Sequence, residues 1–227
     1  QVGHIERFNP AIRSMTKLAV EPRFIEVIRL SPLTFRSIDV GVVLDMMIHD
    51  IDIVLKLARS KVAKIDAVGV SVIGSAHGAS SARPAEDICN ARLTFENGCV
   101  ANMTASRLAL KTERKLRVFS PDAYVSIDYQ KTYGMVARKT ENLSAIRDAV
   151  AQIRSGEIED LSQLNFAELV QVEELQIDDV EPLRAELEAF VDSVTQGAPV
   201  EVSGEDGLAA VETAERIVEA IGNQRLE

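Results

Sequence analysis

The fold class is predicted from Ile88-Cys-Asn-Ala-Arg-Leu-Thr-Phe95, Glu96-Asn97-Gly98 and Cys99-Val-Ala-Asn-Met-Thr-Ala-Ser-Arg107, two alternating segments joined by a tight turn. Asn-Gly suits a type I′ hairpin, because both central residues of that turn need positive φ. The first strand alternates between two sets, Cys89, Ala91, Leu93 and Phe95 against Ile88, Asn90, Arg92 and Thr94. We expect the first set to lie under helices and the second to form an open face.

Further elements extend outward from this hairpin. Strands are predicted at residues 2–8, 22–30, 65–73, 115–119, 124–129 and 133–138. Helices are predicted at residues 11–18 (after an Asn9-Pro10 cap), 42–57 and 143–153, with two more that begin near residues 181 and 203. The first of these two is expected to bury Leu183, Leu187, Phe190 and Val194, and the second carries Leu208, Val211, Val218 and Ile221 as its apolar residues. The sequence therefore predicts an α+β fold with a large, mostly antiparallel, open-faced sheet and helices on one face, in a single domain over residues 1–227.

Composition excludes several classes of protein. The net charge is −10, which argues against nucleic acid as a partner, because phosphate binding needs a concentrated positive surface. No apolar run is long enough to span a membrane. The chain has two cysteines, Cys89 and Cys99, which we interpret as reduced, packed thiols in a cytoplasmic protein. One layer of helices cannot cover both faces of a sheet, so a homodimer or higher homo-oligomer through the open face is expected.

The predicted helix at residues 42–57 has a polar stripe beside its apolar one. Its apolar residues Leu44, Ile48, Ile51 and Leu55 recur at helical spacing. Asp45, His49 and Asp52 follow the spacing i, i+4 and i+7, which places them on one face. An imidazole beside carboxylates is suited to proton transfer with a hydroxyl. The alternatives are a solvated helix face and a metal site, although three ligands on one helix strain metal geometry; we expect no metal.

Four segments resemble one family of oxidoreductases. Asp39-Val-Gly-Val-Val-Leu-Asp45-Met-Met-Ile-His49-Asp50-Ile-Asp52 is similar to the D-x-x-x-H signature helix of the glucose–fructose oxidoreductase / inositol dehydrogenase (Gfo/Idh/MocA) family. Gly3-His4-Ile5-Glu6-Arg7-Phe8-Asn9-Pro10 resembles the first strand of that family's C-terminal domain, whose fold is like that of dihydrodipicolinate reductase. Leu93–Gly98 resembles its hairpin, and Gly204-Glu205-Asp206-Gly207-Leu208 its closing helix. The segments that contain Arg7 and His49 look most like dehydrogenases that oxidise C3 of a UDP-N-acetylglucosamine-type sugar nucleotide.

The resemblance implies a site. His49 would be the acid/base at a sugar hydroxyl, Asp45 its partner and Asp52 a hydroxyl contact. Arg7 and Asn9 would line the pocket, although for Asn9 a helix cap is the better interpretation. Arg107 is a candidate for a phosphate or carboxylate on the substrate, with a cross-strand ion pair as the alternative. The cofactor would be NAD or NADP.

Three departures from the family pattern bear on what this chain does alone. Its members begin with a Rossmann domain that carries G-x-G-x-x-G, and neither that motif nor the family's E-K-P motif occurs here. Met47 also stands where a small residue is common. We therefore expect the substrate-binding half of an NAD(P)-dependent sugar dehydrogenase, inactive without its cofactor domain. The alternative is a non-catalytic sugar-binding or dimerisation module.

Overall fold

An eight-stranded sheet organises the computed structural model, which describes residues 1–34, 39–73, 85–139, 143–156 and 170–222. The strands are β1 Phe24–Leu30, β2 Val62–Val70, β3 Ile88–Phe95, β4 Val100–Ser106, β5 Glu113–Phe119, β6 Ala123–Asp128, β7 Tyr133–Lys139 and β8 Val170–Glu174. Their spatial order is β2-β3-β4-β1-β5-β6-β7-β8, and only β1 and β4 run parallel. The prediction of a large, mostly antiparallel open sheet is confirmed.

Five α-helices are present in the described residues. They are α1 Pro10–Thr16, α2 Ile48–Ala58, α3 Leu143–Ser155, α4 Pro182–Gln196 and α5 Gly204–Gly222. Helix α5 packs on β2 and on α2. A single π-helical turn, Val43–Met47, precedes α2, and a 3-10 turn, Ile5–Phe8, precedes α1. This arrangement places the start of α2 beside the N-terminal segment.

The β3–β4 hairpin forms as predicted, but with a different turn. Of its loop residues only Gly98 has positive φ, at 82°, so the turn is not type I′. Gly98 N donates to Phe95 O at 2.9 Å and Phe95 N donates to Cys99 O at 2.9 Å, which makes a three-residue loop with a left-handed last residue. Asn97 tolerates this loop because its amide oxygen accepts from Cys99 N.

The two faces of the hairpin differ as expected. Cys89, Ala91, Leu93 and Phe95 are buried in the main core. On the other face Asn90 and Arg92 are exposed and bond across the strands to Thr104 and Asn102, each at 2.9 Å. Helices therefore cover one face of β3, and the opposite face is open within the described residues.

The strand predicted at residues 2–8 is wrong. This segment does not join the sheet. Among the described residues its one long-range backbone bond is Val2 N to Val202 O at 3.0 Å, and its other backbone bonds are local, as in Arg7 N to His4 O. Residues 5–8 form the 3-10 turn instead. The cap that follows is confirmed: Asn9 Oδ1 accepts from Ala11 N at 3.0 Å, with Pro10 at the first helical position.

The apolar stripe predicted for residues 42–57 is partly wrong. Leu44 is 42% exposed, whereas Met47, Ile51 and Val54 are buried. A π-helical turn holds more residues than an α-helical one, so it changes which side chains face the core before and after it. The predicted helix is therefore two segments with different phases, joined at Ile48.

The sequence predicted that the apolar face of α4 is buried, but in the structure this face is exposed. Its larger apolar side chains, Leu183, Leu187, Phe190, Val191 and Val194, are 48–69% exposed, and Ala185 is its buried residue. In α5, Leu208 and Val211 are likewise exposed, while Ala210, Ala214 and Ile217 face the core. Val218 and Ile221 are partly buried and pack against the core, so the apolar residues identified in α5 from the sequence are divided between the core and the exposed surface.

Candidate functional site

A cavity of about 240 Å³ lies where the start of α2 meets the N-terminal segment and the sheet. Its charged or ionisable lining residues come from several elements and are Glu6, Arg29, Asp45, His49, Arg107 and Arg114. Ser31, Thr34 and Thr112 add hydroxyl groups. The cavity thus offers both hydrogen-bond donors and acceptors around one imidazole.

His49 is half-buried at this cavity. Its Nδ1 is buried and has no hydrogen-bond partner among the described residues. The ring meets His4 edge to face, with centroids 5.9 Å apart, and Nδ1 of His4 is also buried without a partner. Burial, followed by the charge of Arg29, lowers the pKa of His49. The imidazole is therefore neutral near pH 7 and can accept a proton.

A buried network lies beneath His49. Arg29 donates to both oxygens of Asp50, from Nε at 2.6 Å and from Nη2 at 2.8 Å. Nη2 also donates to Glu6 Oε1 at 3.1 Å, and Tyr129 Oη donates to Asp50 Oδ1 at 2.5 Å. Burial opposes the charge of Arg29, but Asp50, Tyr129 and Glu6 together outweigh it, and the pKa of the guanidinium is raised well above its usual value. The group is permanently charged and fixed.

The predicted carboxylate partners of His49 lie in different places. Asp45 lines the same cavity and is exposed, but no hydrogen bond joins it to His49 Nδ1. Asp52 is buried, and both of its oxygens accept from Arg7, at 2.6 and 2.7 Å. Asp52 and Arg7 line a separate cavity of about 660 Å³ beside α5. Because Asp45 lies in the π turn, it does not share the helix face with His49 and Asp52 that the sequence spacing implied.

Asn9 and Arg107 have structural partners. Besides capping α1, Asn9 donates from Nδ2 to Tyr129 O at 3.2 Å. Arg107 follows β4, lines the His49 cavity, and donates from Nε to Asp87 Oδ1 at 2.7 Å and from Nη1 to Val40 O at 2.8 Å. The ion pair that was the alternative interpretation of Arg107 is present, so its charge is already compensated inside the protein.

Sequence reasoning missed Glu6, Arg29, Asp50 and Tyr129. One signal was available: Asp50 lies close to Met47, Ile51 and Val54 on a helix whose buried side is apolar. A carboxylate in such a position needs a buried cation. The pairing with Arg29 on a distant strand was not readable from local spacing.

Other chemistry is limited in the described ranges. These residues contain no group of three or more His, Cys, Asp or Glu placed to hold a metal. No helix among them has the length and apolar character needed to cross a membrane. Cys89 and Cys99 are buried and not joined to each other, and burial raises the pKa of Cys89 to about 12.

Comparison with known proteins identifies relatives. Residues 32–125 match the family model of the GFO/IDH/MocA C-terminal domain. UDP-N-acetylglucosamine 3-dehydrogenase of Acidithiobacillus ferrooxidans is 32% identical over 169 residues, which is 70% of this chain and 51% of that protein. The chain thus spans about half the length of this curated relative.

Solved structures agree with this. A structure of UDP-N-acetylglucosamine 3-dehydrogenase GnnA from Acidithiobacillus ferrooxidans matches with a TM-score of 0.76 at 27% identity, covering 96% of this chain and 60% of that one. Levoglucosan dehydrogenase in complex with NADH matches with a TM-score of 0.71 at 16% identity, covering 98% of this chain and 63% of that one. The second likeness shows a shared fold.

Proposed function

We propose that this chain is the substrate-binding half of an NAD(P)-dependent dehydrogenase acting on a hydroxyl of a sugar or sugar nucleotide, because residues 32–125 match the family model of the GFO/IDH/MocA C-terminal domain. The observation that carries the proposal is His49, a half-buried imidazole that lines a polar cavity and whose pKa is lowered by burial. An alcohol that is oxidised loses its hydroxyl proton, and a neutral imidazole accepts it. The nicotinamide, when bound, accepts the hydride.

The other polar groups of the cavity would orient the substrate. Asp45 is exposed there and is free to accept hydrogen bonds from sugar hydroxyls, in addition to its proposed role beside His49. Ser31 and Thr112 can donate or accept. Asp52, Arg7 and Asn9 are assigned to the scaffold around the site. A sugar nucleotide is the favoured substrate because the 32% identical relative is a UDP-N-acetylglucosamine 3-dehydrogenase.

NAD or NADP would be held mainly by protein outside the described residues. Within those residues no Gly-rich strand-to-helix turn is present to cradle a pyrophosphate. The exposed apolar face of α4 supports the presence of further protein, since contiguous apolar surface of this kind marks an interaction site. We accordingly expect the 227-residue chain alone to be inactive.

A homodimer through the open face of the sheet is also proposed. This face carries Phe24, Phe119 and Tyr124, whose rings contact one another with centroids 5.0–5.8 Å apart. The same face also carries apolar Val100 and Ile28, and polar groups such as the cross-strand pair of Arg92 and Asn102. Subunit interfaces are enriched in aromatic residues and combine apolar with polar contacts.

The test is a dehydrogenase assay on the full-length protein with UDP-sugars and free polyols, using NAD and NADP. His49→Gln should reduce kcat by about 10²–10⁴-fold, because a positioned acid/base contributes that much. The control is Lys64→Gln, which removes an exposed charge on β2 and should leave turnover unchanged. Turnover by His49→Gln at the wild-type rate would refute the assignment. Sugar binding without turnover of any substrate would favour the non-catalytic module.

A further inference from the structure

The proposed function does not use the ion pair that holds the first turn of α2. Arg29 is on β1 and Asp50 is on α2, and their side chains are 6% and 1% exposed. Two parallel hydrogen bonds, at 2.6 and 2.8 Å, join the guanidinium to the carboxylate. This bidentate geometry fixes orientation as well as distance. The sheet therefore determines how the first turn of α2 is rotated.

His49 is directly coupled to this contact. It precedes Asp50 in the chain, so a carboxylate held toward the sheet directs the neighbouring imidazole toward the cavity. Tyr129 Oη donates to the same carboxylate, and Glu6 accepts from both Arg29 and Arg114. Arg29, Asp50 and Glu6 are thus each held by more than one contact.

Some of the charges around His49 lower its pKa and others raise it. Its surrounding groups on the packed elements are His4 and Glu6 in the N-terminal segment, Arg29 on β1, Asp45 in the π turn, Asp50 on α2, and Arg107 and Arg114 at the cavity wall. Burial and Arg29 lower the pKa of His49, whereas Asp50 and Glu6 act to raise it. Because Arg29 is bonded to both carboxylates, it compensates the two groups that would favour an imidazolium.

We propose that Arg29 is a positioning residue of this site, which directs His49 into the cavity through Asp50 and keeps the imidazole in its neutral, proton-accepting form. The proposal rests on the acid/base role proposed for His49. The proposal adds Arg29, which keeps the imidazole able to act as a base. This residue lies on the sheet and not on the helix that carries His49.

An NMR titration of the 227-residue chain tests the charge effect without an activity assay. The chain has three histidines, so substitution of His4 and of His77 assigns the imidazole signals. Arg29→Gln should raise the titration midpoint of His49 by about one pH unit, because a nearby cation is lost and two carboxylates are released. Glu6→Gln should lower it. Arg117→Gln is the matched control, since it removes an arginine paired with Glu26 away from the site, and should leave the midpoint unchanged.

Arg29→Lys separates position from charge. In the full-length enzyme it should keep the acid limb of the kcat/KM profile in place but lower kcat about tenfold with little change in KM, because the bidentate contact is lost. If folded Arg29→Gln leaves the midpoint of His49 unchanged or lowers it, the proposal is overturned. If Arg29→Gln does not fold, the Glu6→Gln variant decides: the proposal is overturned if the titration midpoint of His49 is not lowered in that variant. If the titration midpoint of His49 shifts as expected in these variants but the full-length protein turns over no sugar, the proposed function is refuted and this inference remains.

Discussion

Removing one partner of the Arg7–Asp52 ion pair should lower the free energy of unfolding by about 3–5 kcal/mol. The side chains are 9% and 1% exposed, and Asp52 accepts two hydrogen bonds from the guanidinium at 2.6 and 2.7 Å. Hydrogen bonds to charged groups contribute about 1.5–3 kcal/mol each, so two of them account for this range. Asp52→Asn removes the nearer of two carboxylates that pair with the guanidinium, the other being Asp206 at 3.4 Å. Arg7→Met leaves the buried carboxylate of Asp52 without its bidentate partner.

Urea unfolding monitored by far-UV circular dichroism measures the effect, since the chain contains no tryptophan. With a slope of about 2.5 kcal/mol per molar urea, the midpoint should fall by about 1–2 M. The double variant Arg7→Met/Asp52→Leu should recover much of the loss, because it leaves neither charge unpaired. Lys64→Ala is the control: its pair with Asp66 is exposed and should contribute about 0.5 kcal/mol or less.

The opposite result would change the description of the site. If Asp52→Asn unfolded at the wild-type midpoint while KM for a sugar substrate rose in the full-length enzyme, Asp52 would be a substrate contact. The buried ion pair would then not represent the functional protein.

Three further outcomes are expected. Both cysteines should react with a thiol reagent at about pH 8 only after unfolding, since Cys89 and Cys99 are buried and burial raises their pKa values; rapid labelling of the native chain would contradict this. The protein should elute as a dimer and Ile28→Asp, on the open face beside β4 and β5, should make it monomeric; light scattering that gives a monomer for the wild type would argue against the proposed interface. Folding lowers the pKa of His49 from its usual 6.5, so the unfolded chain binds that proton first as the pH falls. Wild-type stability should therefore decline more steeply between about pH 7 and pH 5 than that of His49→Gln, and parallel curves would show that His49 is not perturbed.

Local patterns in the sequence predicted those parts of the fold that depend on interactions between residues close in sequence. The hairpin at Asn97-Gly98, its buried and open faces and the cap at Asn9 all depend on neighbouring residues, and these were predicted correctly. The turn type was not, because a left-handed residue at Gly98 alone also closes a hairpin. The segment at residues 2–8 alternates like a strand but pairs with none of the strands in the described part of the chain, and alternation alone carries no information about partners.

The site was predictable only in part, for a related reason. The spacing of Asp45, His49 and Asp52 assumed an uninterrupted α-helix, and the π turn at Val43–Met47 invalidates that assumption. The resemblance directed attention to His49, which the structure places at a cavity. Arg29 was not found because it is 20 residues or more from its partners in sequence, and its contacts with Asp50 and Glu6 exist only after the sheet has formed.

The place of β1 in the sheet has a consequence for how the chain folds. This strand pairs Phe24 with Val100 on one side and with Phe119 on the other, so both of its neighbours are synthesised long after it. Closing such large loops is entropically costly and slows folding. A nascent chain that ends before β4 has no partner for β1 within the described sheet. The centre of the sheet, and with it the Arg29 contact that orients His49, should therefore assemble late, in one cooperative step that requires the chain at least as far as Phe119.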